Sequence, residues 1–291
     1  MDHSAAWGVK GTSSSVFTVF TGAIMNNPTP ISRGMRETLE WLAASVAEGI
    51  DRECAFSDRS AEVGMGADGT PTCRIDQAAE DLLLRLMDDR GIPLNVLSEE
   101  AGFVDRGYER TLVMDPVDGT YNALMGIPFY SVSLAVCTKS MNDATHGIVR
   151  NLVTGDLFYA EKGKGATWNG RPIHVRKCHK DSSVLFVYLG KFSAASANGV
   201  LRKARRTRSM GCSSLEMCLV AAGLADGFYL HSEVYQRALR VVDIAASALV
   251  LREAGGDLYD LEGNTLDMAL DLEDRANCLA AGDPDLLEWL R

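Results

Sequence analysis

No stretch of this 291-residue chain stays apolar long enough to cross a bilayer, because charge or glycine breaks every hydrophobic segment within about a dozen residues. No membrane partner is expected. Positive charge is short as well: 29 Lys and Arg face 39 Asp and Glu, a net charge of −10. Nucleic-acid surfaces are normally basic, so no nucleic-acid partner is expected either. The run RKARRTRS at 202–209 is the exception, and it reads as a solvated face or as a local patch for phosphate. Cysteine never occurs as CxxC. The seven cysteines are scattered, which suits reduced thiols and a cytoplasmic location. The five histidines form no HExxH-like pair, which argues against zinc. Neither GVKGTSSSV nor GMGADG stands in the strand–GxGxxG–helix context of a dinucleotide fold, and no internal repeat is present.

The apolar pattern is that of a mixed α/β protein. From Ser32, a plausible cap, Met35, Leu39, Leu42, Val46 and Ile50 recur at helical spacing, and a second helix is expected over 76–89. Between them, the glycine-rich loop at 57–72 is expected to be a hairpin-like mobile flap. The short strands LNVLSEE, TLVMDP, SVSLAVCTK, HGIVRNLV and DLFYAEKG follow with tight turns, which predicts an antiparallel sheet with the helices on one face. After residue 180 strands and helices alternate, the pattern of a mixed or parallel sheet. The expected domains are therefore 31–180 (α+β) and 181–291 (α/β), preceded by a leader over 1–30. Within that leader, SSSVFTVFTGAIM has no basic n-region and is expected to be loosely ordered or an extra strand rather than a signal peptide.

The chemistry concentrates in VMDPVDGTYNALMG at 113–126. Asp-Pro and Asp-Gly are common turn dipeptides, so DPVDG alone is also a plain strand-ending turn. Two further apolar segments carry carboxylates: LNVLSEE ends in Glu99 and Glu100, and VVDIAAS holds Asp243. Carboxylates gathered where strand ends converge repel one another, and a cation resolves the conflict. An all-oxygen donor set suits a hard ion, Mg²⁺ when the partner is a phosphate. Asp115 and Asp118 can reach neighbouring ions, with the Val117 carbonyl between them. Gly119 and Thr120 open a helix whose amides can take phosphate oxygens.

SEE at 98–100, DPVDGTYNAL at 115–124 and VVDIAASALVLREAGG at 241–256 resemble, in order and at the usual distances, the three signatures of the inositol monophosphatase family of magnesium-dependent, lithium-sensitive phosphatases. The resemblance runs from about Ser32 to the C-terminus. GADGTPTCRIDQAAE at 66–80 and LRVVDIAAS at 239–247 look most like its archaeal branch, whose members act on inositol phosphate and fructose 1,6-bisphosphate. Val242 and Ser247 stand where other members have Trp and Gly, and the acidic residue that contacts inositol in animal members falls near Leu230.

The resemblance implies a layered α-β-α-β-α sandwich, a homodimer, a small phosphomonoester substrate and two or three Mg²⁺ ions per site. Glu99, Asp115 and the Val117 carbonyl would hold the first ion, and Asp115, Asp118 and Asp243 the second. A third would lie near Glu99 and Asp76. Glu99, Thr120 and Asp76 would serve catalysis, with Glu100 behind them. Asp118, Gly119, Thr120, Gly211, Cys212, Ser213 and Arg240 would contact substrate; Arg240 and the patch Arg202, Lys203, Arg205 and Arg206 are candidates for a second phosphate. Taken singly, Asp76, Asp243 and Ser213 also read as helix caps. A phosphatase for 3'-phosphoadenosine 5'-phosphate or NADP, and a non-catalytic regulatory homologue, are the alternatives.

Overall fold

The structure, a computed structural model, describes residues 34–54 and 58–290. The expected leader, the segment SSSVFTVFTGAIM and the Ser32 cap lie outside the described residues. In chain order the elements are α1 (Met35–Glu53), β1 (Glu62–Met65), β2 (Pro71–Cys73), α2 (Arg74–Asp89), β3 (Asn95–Ser98), β4 (Gly102–Val104), β5 (Thr111–Asp118), α3 (Thr120–Met125) and β6 (Ser131–Cys137). These are followed by β7 (His146–Asn151), β8 (Leu157–Glu161), β9 (Ala166–Trp168), β10 (Arg171–Ile173), β11 (Val184–Val187), α4 (Ala197–Lys203), β12 (Arg206–Arg208) and α5 (Ser213–Ala221). The chain closes with β13 (Gly227–Leu230), α6 (Val241–Glu253), β14 (Asp257–Tyr259), β15 (Cys278–Ala281) and α7 (Pro284–Leu290).

Five layers result. On α1 and α2 the apolar stripe Leu39, Leu42, Val46, Ile75, Leu83 and Met87 is buried against Leu112, Met114, Val132, Leu134 and Ile148 of the larger sheet. That sheet has eight strands in the order β10-β9-β8-β7-β6-β5-β3-β4. Its other face meets α5 and α6, where Val113, Ala135, Val149 and Phe158 pack with Leu215, Met217, Ile244 and Ala248. The same two helices also cover Phe186, Phe228 and Ala280 of a five-stranded sheet ordered β12-β11-β13-β15-β14. Leu185, Val187, Tyr229 and Leu279 on its far face pack with Val200 of α4 and Leu286 of α7. The α-β-α-β-α sandwich expected from the sequence is therefore the architecture. A helix apolar all round must be covered on both sides, and α6 is: every residue from Val241 to Leu251 is buried.

The larger sheet departs from the antiparallel expectation at one pair. β3 and β5 run parallel, because β4 turns back along the outer edge of β3 and the chain returns to the starting end before β5 begins. The smaller sheet is mixed, with β11 parallel to both β12 and β13 and the remaining pairs antiparallel. Helix α1 begins at Met35 with Gly34 as its N-cap residue.

Candidate active site

The site begins as an irregularity in β5. Residues 115 and 118 of a regular strand point to opposite faces, but the register of β5 on β6 shifts between Asp115 and Asp118. Pro116, which has no N–H to give the ladder, sits in this bulge. The bulge changes the phase of the strand. Val113 packs with α5 and α6, whereas Val117 packs with α1 and α2. Asp115 and Asp118 consequently end on the same side of the sheet, towards α5 and α6.

Carboxylate oxygens of Glu99, just past β3, Asp115 and Asp243, in the first turn of α6, lie within 4.8 Å of one another. Burial pushes the pKa values of Glu99, Asp115 and Asp118 up, and their mutual repulsion pushes Asp115 higher still. Three hard oxygen donors with no sulfur or imidazole among them fit a cation such as Mg²⁺. A stand-in cation is already in contact with two of them. The Arg240 guanidinium pairs with Glu99 and, at 2.8 Å, with Asp243.

Asp118 faces α5. Its Oδ2 accepts the Ser214 N–H at 2.7 Å and the Ser214 hydroxyl at 2.5 Å, and the Cys212 thiol lies 3.2 Å away. Burial holds that thiol protonated, with a pKa well above the ordinary value. The α5 terminus is thus capped from across the site by Asp118. Ser213 is the first residue of α5, and Cys212, its N-cap residue, makes no side-chain cap bond. Gly119 takes φ +91°, and a Cβ there would stand 3.1 Å from the Cβ of Cys212 and 3.2 Å from the Gly211 carbonyl. The Thr120 hydroxyl lies 2.9 Å from Asp76 Oδ1 and 3.2 Å from the Val117 carbonyl. Burial lifts Asp76 to a pKa of about 7 against the bond from Thr120. Neither Asp76 nor Asp243 is an N-cap residue: each is three past one, after Cys73 and Arg240.

The glycine-rich segment is a hairpin, β1–β2, folded over the Glu99–Glu100 turn. The Ala67 and Asp68 N–H groups donate to the carbonyls of Glu100 and Glu99 at 3.0 and 3.3 Å. Thr70 reaches Glu99 Oε1 at 3.3 Å, and Thr72 donates to Glu100. A Cβ on Gly66 would meet Glu100 Oε2 at 2.7 Å and the Glu99 carbonyl at 3.2 Å, so a larger residue there would displace the Glu100 carboxylate. Glu100, raised to about 7 chiefly by burial, therefore holds the hairpin and stands behind Glu99. Asp68 in the hairpin turn receives Arg240 at 2.6 Å and lies 3.7 Å from Arg275. Burial raises its pKa, but the bonds from Thr70 and the charges of Arg240 and Arg275 outweigh this and bring it below the usual range.

Asp68, Asp76, Glu99, Glu100, Thr120, Arg240 and Asp243 line a cavity of about 420 Å³, whereas Asp115, Asp118 and Cys212 lie behind its lining. The basic run lies elsewhere: Arg202, Lys203 and Arg205 line a separate hollow with Lys180 and Asp181. Leu230 is buried at the end of β13. Four supporting residues were not expected from the sequence. Asn122 donates to the carbonyls of Phe129 and Met210, both at 2.7 Å, and ties α3 to the Gly211 loop. Glu216, lifted to about 8 by burial, takes the Met210 N–H at 2.8 Å. Ser214 holds Asp118, and Asp68 holds Arg240. The one local signal that Asp68 carries is that of an Asp-Gly turn, and the other three carry none.

The chain is 35% identical over 266 residues to a fructose-1,6-bisphosphatase/inositol-1-monophosphatase of Methanothermobacter thermautotrophicus, covering 85% of this chain and 93% of that one. A protein of the same description from Methanocaldococcus jannaschii is 32% identical over 86% of this chain and 98% of its own. The bifunctional NADP phosphatase/NAD kinase of Methanococcus maripaludis is 34% identical over 83% of this chain but only 47% of its own length. A solved inositol monophosphatase–fructose 1,6-bisphosphatase superposes with a TM-score of 0.78 at 31% identity, covering 89% of this chain and 98% of that one. The profile of the inositol monophosphatase family matches residues 33–290, and the chain belongs to that family.

Proposed function

We propose that the protein is a Mg²⁺-dependent phosphomonoesterase acting on inositol 1-phosphate, fructose 1,6-bisphosphate or both. The observation that carries this reading is the convergence of Glu99, Asp115 and Asp243 within 4.8 Å, two of which, Glu99 and Asp243, line a cavity sized for a small ligand. Glu99, Asp115 and the Val117 carbonyl would hold one ion, Asp115, Asp118 and Asp243 a second, and Glu99 and Asp76 would take part in a third. Bound there, Mg²⁺ supplies a water of lowered pKa and neutralises charge on the phosphoryl oxygens.

The chain's own groups do the orienting. Glu99 and the Thr120 hydroxyl aim the attacking water in line with the bond to the leaving oxygen. Thr120 is kept in place by Asp76, 2.9 Å away. The amides of Gly119 and Thr120 take phosphoryl oxygens. Asp118, Gly211, Cys212 and Ser213, braced by Asn122 and Glu216, would contact the substrate beside the residues that line the cavity. Arg240, expected as a phosphate contact, directs its guanidinium to carboxylates. A homodimer, inhibition by lithium and a cytoplasmic location belong to the same proposal. Among the described residues no helix is long and apolar enough to cross a membrane.

A second reading, an NADP phosphatase, is favoured by the match to the bifunctional archaeal enzymes. The test is phosphate release from inositol 1-phosphate, fructose 1,6-bisphosphate, 3'-phosphoadenosine 5'-phosphate and NADP, with Mg²⁺ and with EDTA. Release from the first two that EDTA abolishes is expected. Release from NADP alone selects the second reading, and no release from any substrate leaves a regulatory homologue.

A further inference from the structure

Arg240 is placed where the charges of the site meet. It precedes α6 by one residue, and its backbone N–H and the carboxylate of Asp243 are bonded at 2.7 Å, so its side chain starts on top of the cluster. The guanidinium uses all three of its nitrogens on carboxylates. Nε lies 3.2 Å from both oxygens of Asp243, Nη2 donates to Asp243 Oδ1 at 2.8 Å, and Nη1 pairs with Asp68 Oδ2 at 2.6 Å and with Glu99 Oε1. Its side chain is only 13% exposed. Resting on the phosphatase reading, we propose that Arg240 is an internal competitor of the catalytic cation. It neutralises Glu99 and Asp243 itself, pins them to Asp68 of the hairpin, and must withdraw before a divalent ion can use the same oxygens.

Arg240 and a divalent ion would share the same carboxylate oxygens. Both oxygens of Asp243 and one of Glu99 already face positive charge from Arg240. A dication drawn to those oxygens would stand against a guanidinium that is itself largely buried, where like charges are less screened than at the surface. Cation binding and the Arg240 contacts therefore oppose one another, and by linkage each weakens the other equally. The third partner gives the competition a mechanical arm. Asp68 belongs to the hairpin that covers Glu99 and Glu100, so withdrawal of Arg240 removes a clamp on that hairpin. Arg275, at 3.7 Å, still attracts Asp68 but touches neither Glu99 nor Asp243 closely enough to form an ion pair. Arg240 acts here as a positioning residue, setting the cation concentration at which the site fills.

The opposite role is easily distinguished. A guanidinium that merely held Glu99 and Asp243 in a ligating arrangement would support cation binding, and its loss would weaken it. Calorimetric titration with Mg²⁺ of the wild type, Arg240→Gln and Arg240→Lys, beside thermal unfolding in EDTA and in Mg²⁺, separates the two. Competition predicts that Arg240→Gln binds Mg²⁺ about tenfold more tightly, unfolds at a lower temperature in EDTA and gains more from added Mg²⁺ than the wild type. Arg240→Lys, which keeps the charge but loses the planar fork, should fall between them, and it carries the test if the Gln variant does not fold. Equal or weaker Mg²⁺ binding by a folded variant, with the wild type binding Mg²⁺, overturns the competition and leaves the phosphatase reading standing. No Mg²⁺ binding by any of the three proteins overturns both.

Discussion

Asp115 and Asp118 are buried acids and Glu99 a half-buried one, all with ionised forms that the fold disfavours, and the sign of this effect has a consequence for stability. Asp76 and Glu100 are the readable cases, each lifted to about 7 by burial and neighbouring carboxylates, although Glu100 is partly open to screening solvent. A carboxyl whose folded pKa lies above its unfolded value of about 4 binds its proton more tightly when folded. Its contribution to stability is present below about pH 4 and is lost as pH rises through 7. In EDTA the melting temperature should fall between pH 5 and about 7.5, and saturating Mg²⁺ should flatten that fall, which calorimetric scans at each pH would show. Gly119 gives a residue-scale prediction of another kind. At φ +91° a Cβ costs about 1–2 kcal/mol, and here it would also press on Cys212 and the Gly211 carbonyl. Gly119→Ala should lower the denaturant-derived stability by at least that amount; an unchanged midpoint would contradict the fit described between β5 and the Gly211 loop.

Among the elements, α6 joins the two sheets and carries Asp243 to the cluster, so the closeness of its packing positions a ligand. Gly147 of β7 shows how close it is: a Cβ there would stand 2.8 Å from the Ala246 carbonyl. Gly147→Ala must push helix and strand apart, and overpacking of this kind costs about 1–3 kcal/mol. The variant should lose both thermal stability and Mg²⁺ affinity; stability lost with affinity intact would mean that α6 does not set the position of Asp243. The β1–β2 hairpin is the other element that matters. Mg²⁺ alone, by drawing Arg240 off Asp68, should speed proteolytic nicking within 62–73, and substrate bound over Glu99 and Glu100 should slow it again; equal rates in all three states would contradict this. Helix periodicity made α1 and α2 readable from the sequence, and tight turns between apolar runs did the same for β3 and β5 to β8. The three-residue strands β4, β9, β10 and β12 are shorter than any alternation a sequence can display. The parallel pairing of β3 with β5 depends on where β4 docks, which no local pattern encodes.

For the whole molecule, the acidic signatures were legible because strand ends and a helix start place Glu99, Asp115, Asp118 and Asp243 by local rules. The residues that complete the site act across long sequence distances. Ser214 meets Asp118 from 96 positions away and Arg240 meets Asp68 from 172, and such contacts exist only once both sheets are stacked on α5 and α6. Sequence alone therefore gave Arg240 a phosphate to bind, where folding gives it three carboxylates. On the proposed reading the acidic cluster, with a divalent ion, hydrolyses a phosphomonoester. The most direct test is phosphate release from inositol 1-phosphate and fructose 1,6-bisphosphate by the wild type and by Asp115→Asn at saturating Mg²⁺, with circular dichroism confirming that both are folded. Turnover by the wild type and a loss beyond the 10- to 100-fold typical of outer-shell partners is the predicted result; a folded Asp115→Asn protein that turns over at the wild-type rate would contradict it.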